Sequence, residues 1–144
     1  MENFKLYKHV YENAEMACSS MEDLIISLKD KDNKIKGAIE DIYKEYCTWK
    51  NEAKEKLSLL DEEPKEKNPV SKMMASMGIK KEVKSDNSDS AIADLLIQGI
   101  EMGSLNGEKA LHAYSKELDK EQYKFLKDFT KFQQKAIEKL KEYL

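Results

Sequence analysis

The chain carries 25 basic residues and not one is arginine. Arginine supplies the planar fork that grips phosphate or carboxylate at two points, which the point charge of lysine does not. Its absence argues against a phosphate clamp and against reading of DNA bases, so no nucleic-acid partner is expected. Cysteine is almost missing, with Cys18 and Cys47 alone, too few for a disulfide framework. The only histidines are His9 and His112, the only prolines Pro64 and Pro69. No apolar run approaches the ~18 residues of a membrane span. The start, Met1-Glu2-Asn3-Phe4-Lys5, has no apolar core of a signal peptide. The expectation is a cytoplasmic protein without a membrane span, with both cysteines as thiols. β-Branched residues are scarce and scattered, so no series of strands is expected.

What is present suits long helices. The composition is 37% charged and 40% hydrophobic, rich in Leu, Lys, Glu and Ala, which are strong helix formers. Tyr7, Tyr11, Ala14, Cys18, Met21, Ile25 and Leu28 follow one another at steps of four and three, so one stripe of a helix over 3–30 is apolar. Lys31-Asp32-Asn33 is a polar turn with a natural N-cap for a second helix over 34–61. The second stripe is Ile35, Ile39, Ile42, Tyr46, Trp49, Ala53, Leu57 and Leu60, with Trp49 expected to be mostly buried.

From 62 to 87 the periodicity breaks into a charged, proline-marked linker. It contains a short amphipathic piece over 70–78 with Met73, Met74 and Met77. A third helix over 88–117 begins at the capping residues Ser88 or Asp89. A fourth, over 119–144, opens with a capping-box pair, Asp119 and Gln122. The expected fold is one domain over 1–144, an all-α antiparallel four-helix bundle of two hairpins. The linker is longer than neighbouring helices need, which favours a ferritin-like crossover between the second and third helices; up-down-up-down is the alternative.

Several features invite a functional reading, and each has a plainer one. Gly99, Gly103 and Gly107 recur every four residues inside a helix, where each costs roughly 1 kcal/mol against alanine. They let another helix approach closely. The plain reading is that the rings of Phe129 and Phe132 fill the space; the functional one is a groove for a ligand or partner. The Met-rich piece reads either as a bundle-end cap or as an adaptable binding surface. Cys18 and Cys47 fall nearly level across the first hairpin, as two small buried hydrophobes or as a redox-sensitive thiol pair. A lysine ridge, Lys116, Lys120, Lys124, Lys127, Lys131, Lys135 and Lys139, is either a solvated face or a surface for an anionic partner. For metal, Glu108 and His112 share a helical face, and His9 lies near the start of the first helix. The Glu-x-x-His pairs of ferritin-like di-iron sites are absent from the sequence.

For catalysis the sequence offers no Ser/His/Asp arrangement, no glycine-rich phosphate loop and no Cys-x-x-Cys. Glu63-Pro64-Lys65-Glu66-Lys67-Asn68-Pro69, Ser71-Lys72-Met73-Met74, Met77-Gly78-Ile79-Lys80, Ile92-Ala93 and Ile97-Gln98-Gly99-Ile100-Glu101-Met102-Gly103 together resemble small uncharacterised proteins of low-GC Gram-positive bacteria. That resemblance covers most of the chain and implies a ferritin-like helical bundle, with no catalytic residues to carry over. The functional expectation is a non-enzymatic bundle acting through protein contacts, with a protein partner or as a homodimer, and with no cofactor. One rival is a ferritin-like metal or redox protein with an atypical ligand set drawn from Glu108, His112, His9, Glu12 and Glu101. A third reading is a spore- or stress-associated structural protein.

Overall fold

Apolar side chains spaced three and four apart can leave water together only if the backbone winds into a helix and packs that stripe against another. Four segments do so in the computed structural model, which describes residues 4–60, 62 and 87–144. They are α1 (Phe4–Ser27), α2 (Lys36–Leu59), α3 (Asp89–Tyr114) and α4 (Lys120–Lys141). Each ends about three residues or fewer from its expected limit, as fraying ends do. The Met-rich piece expected over 70–78, with Met73, Met74 and Met77, lies outside the described residues.

Two of the expected helix starts form as side-chain chemistry dictates. Ser88 Oγ accepts from the Ala91 backbone N–H at 3.2 Å. Gln122 N–H donates to Asp119 Oδ1 at 2.7 Å while Asp119 N–H donates to Gln122 Oε1 at 3.3 Å, a complete capping box. The start of α2 differs from expectation. Its N-cap is Ile35, in helical conformation and with no side-chain cap. Ile35 is buried and anchors the turn in the core instead. Asn33, in the turn expected to supply the cap, bonds elsewhere: its amide donates to Asn87 O at 2.8 Å and Asp89 Oδ1 at 2.9 Å. Lys34 N–H also donates to Asp89, at 3.2 Å.

These last bonds define the connectivity. They place the start of α3 beside the α1–α2 turn. At the far end, Lys56 near the close of α2 meets Glu121 at the opening of α4, at 2.7 Å. Between the ends, Asn13 of α1 reaches Gly103 of α3, Tyr46 of α2 reaches Gln133 of α4, and Asp41 pairs with Lys139. Thus α1 runs antiparallel to α3, α2 antiparallel to α4, and α2 parallel to α3. Residues 60 and 87 therefore stand at opposite ends of the bundle. That is the crossover connectivity expected from the linker; up-down-up-down would bring α3 in where α2 stops, and is not the arrangement.

The core between the hairpins is aromatic. Tyr46 packs edge-on against Phe132 and Phe129, with ring centroids 4.8 and 6.1 Å apart. Trp49 meets Phe125 at 5.3 Å and Phe129 at 5.5 Å, and Tyr7 meets Phe125 at 5.2 Å. Such edge contacts add to burial because ring edges and faces carry opposite partial charge. Trp49 is mostly buried, as expected, packed against the core without being fully enclosed. Its ring partners Phe125, Phe129 and Phe132 all lie on α4, so α4 covers it from one side. Leu60 lies past the last turn of α2, where the backbone has left the helix, and is exposed instead of continuing the stripe.

Candidate functional site

The three glycines of α3 do not share one environment. A Cβ on Gly99 would meet nothing within 4 Å, whereas on Gly107 it would lie 2.8 Å from Thr130 Oγ1 and on Gly103 2.9 Å from the amide of Asn13. Gly103 and Gly107 are therefore close-packing positions and Gly99 is open surface. The groove beside them is not filled by Phe129 and Phe132, as expected from their level in the hairpin. Those rings turn toward Tyr46 and Trp49 of α2. The residues a quarter turn further round α4, Thr130 and Gln133, face the glycines instead.

What fills the groove is a polar seam inside the bundle. Gln133 is fully buried, and its Nε2 donates to Tyr46 Oη at 3.2 Å and to Asn13 Oδ1 at 3.3 Å. Asn13 Nδ2 donates onward to the Gly103 carbonyl at 3.3 Å. Thr130 Oγ1 returns its proton to Leu126 O at 2.9 Å. Gln133 Oε1 is buried without a hydrogen-bond partner among the described residues. Burial pushes the Tyr46 hydroxyl well above its usual range, against the hydrogen bond from Gln133. The seam ties α1, α2, α3 and α4 together through Tyr46 of the α2 stripe and through Asn13 and Gln133, which periodicity alone assigns to no core.

The metal candidates are not brought together. Glu108 is exposed and accepts from Gln134 Nε2 at 3.0 Å. His112 is exposed in the last turn of α3. His9 lies toward the same end of the bundle, but its Nε2 is buried against the inner side of α3, 3.9 Å from where a Cβ on Gly107 would stand. Glu12 lies 4.0 Å from Lys8, and Glu101 is exposed on α3. Among the described residues no group of three or more His, Cys, Asp or Glu could hold a metal ion.

The thiols do come together. Cys18 Sγ and Cys47 Sγ stand 3.2 Å apart across α1 and α2, both as free cysteines. Cys18 is buried and Cys47 half-buried. Burial, and then the hydrogen bond shared with Cys47, push the Cys18 thiol far up, against the pull of Lys50. A hydrogen bond to Cys47, with desolvation second, pushes the Tyr43 hydroxyl up to about 12.

The outer side of α3 is unusual for a surface helix. Met102 is 69% exposed and Leu105 51%. They lie one turn apart, with the open backbone of Gly99 a turn before Met102. Beside them a surface groove of about 280 Å³ runs between α3 and α4, lined by Ser104, Leu105 and Ile137 together with Glu101, Glu108, Gln134, Glu138 and Lys141, the last paired with Glu138 at 3.0 Å. On α4, Lys120, Lys124, Lys127, Lys131 and Lys135 of the expected ridge are exposed. Lys127 stands 5.9 Å over the Tyr123 ring, and Lys139 is drawn toward α2 by Asp41 at 3.1 Å. No described helix is long and apolar enough to cross a membrane. No protein-family model, no curated protein and no solved structure matches the chain.

Proposed function

We propose that this chain is a non-enzymatic helical bundle that acts by protein contact, and that its partner is a second copy of itself docked through the α3–α4 face. The observation that carries this reading is the pair Met102 and Leu105, exposed one turn apart at the edge of a groove that Leu105 itself lines beside Glu101 and Glu108. Large apolar side chains at helix ends, such as Leu59, Leu60 and Leu144, are ordinary; two in mid-helix beside open Gly99 form a patch. Charge selects the occupant. The groove presents Glu101 and Glu108, with Glu138 already paired to Lys141, and the neighbouring α4 ridge of a second copy presents Lys127, Lys131 and Lys135. A two-fold contact lets each copy offer its acidic groove to the other's lysines while the apolar patches meet at the axis.

The test is sedimentation equilibrium of the full chain at low and moderate salt. The expected result is a dimer that weakens as salt screens the charge pairs. Met102→Glu with Leu105→Glu should give a monomer whose helical circular dichroism is unchanged, since both side chains are exposed. A parent chain that stays monomeric up to high concentration removes the homodimer.

A further inference from the structure

We infer that Cys18 and Cys47 form a dithiol site that takes a small-molecule disulfide as oxidant and closes to an intrachain disulfide joining α1 to α2. The inference is independent of self-association through α3. Its basis is placement. The two sulfurs stand 3.2 Å apart on adjacent helices, and a bonded pair needs about 2.05 Å, a gap that side-chain rotation can close without parting the helices. The hairpin register and the packing of α1 on α2 hold them there in the reduced state, so closure requires no unfolding.

The two sulfurs differ in access, which sets the order of events. Cys47 is half-buried and next to the Tyr43 hydroxyl; Cys18 is enclosed at 6% exposure. The thiolate of Cys47 attacks one sulfur of the incoming disulfide, forming a mixed disulfide and expelling one thiolate. The Cys18 sulfur then attacks the Cys47 sulfur of that mixed disulfide, its proton passing to the second departing thiolate. The two protein thiols are oxidised, the incoming disulfide is reduced to two thiols, and the S–S bond broken is replaced by the one formed. The buried partner serves the second step well, because Cys18 already contacts the sulfur it attacks while staying closed to outside reagents.

The experiment equilibrates the intact chain in glutathione buffers of increasing oxidised fraction, quenches with acid, alkylates free thiols and weighs the protein. The expected result is the paired loss of both thiols, a mass lower by two hydrogens, no retained glutathione, and a melting temperature higher by about 10 °C for a staple across a loop of this size. Cys18→Ser should accumulate glutathione on Cys47, because the resolving thiol is gone. Cys47→Ser should leave Cys18 unmodified. Glutathione retained on Cys47 in the parent chain, disulfide-linked dimers in place of the intrachain bond, or two thiols unreacted in fully oxidised glutathione would each overturn the inference. If Cys18→Ser impairs folding, the accessible-to-buried order is read in Cys18→Ala by the same mass measurement.

Discussion

Two glycines of one helix, Gly99 and Gly107, illustrate how little a residue type says without its surroundings. Both give up helix propensity, by roughly 1 kcal/mol against alanine. At Gly99 nothing stands within 4 Å of an added Cβ, so Gly99→Ala is expected to stabilise the fold by about 0.5–1 kcal/mol. At Gly107 the added carbon would lie 2.8 Å from Thr130 Oγ1, on a short, buried side chain already bonded to Leu126 O. It cannot step aside cheaply, so Gly107→Ala is expected to cost about 1–3 kcal/mol in spite of the propensity gain. Urea unfolding of the two variants measures both signs, and equal effects would mean that α3 and α4 are not in contact at Gly107. The periodic glycines were visible in the sequence. That Asn13, Thr130 and Gln133 would be their neighbours was not, because polar side chains on a helix read as solvated unless a partner is known to bury them.

At the scale of the element, local chemistry goes a long way. The Asp119–Gln122 capping box and the Ser88 cap both form at the residues that name them, because a side-chain oxygen satisfies backbone N–H groups that no helix can satisfy itself. Asp119→Ala is expected to cost about 1 kcal/mol, seen as a lower urea midpoint at unchanged slope; an unchanged midpoint would mean that α4 is held by packing alone. The level pairing of Cys18 and Cys47 was legible for a similar reason, since a hairpin with a short turn has only one register. Asn33 shows the limit of local reading. It is a good cap by type, yet it bonds Asn87 and Asp89 across the bundle, and a tertiary partner outbid the local one.

For the whole molecule the decisive fact is direction. α2 rises by about 36 Å over its length and ends beside the opening of α4, while α3 begins beside the α1–α2 turn. The chain between 60 and 87 must therefore cover the length of the bundle. Replacing 61–86 by six Gly/Ser residues, which reach at most about 20 Å, is expected to abolish the parent's cooperative melt or lower its temperature by more than about 10 °C, whereas about 20 such residues should preserve it. Thermal unfolding followed by circular dichroism reads the difference, and a six-residue chain melting like the parent would contradict the crossover.

The sequence by itself determined the helices, their apolar stripes, two of their caps, the pairing within each hairpin and the scarcity of chemistry for catalysis. All of these follow from spacing along one chain segment or one short turn. Only the tertiary structure decided that residues 60 and 87 stand at opposite ends of the bundle, that Phe129 and Phe132 turn to α2 while Gln133 fills the glycine groove, and that Met102 and Leu105 are left outside. Those depend on which face of one hairpin meets which face of the other, and that choice is made by the summed packing of residues far apart in the chain.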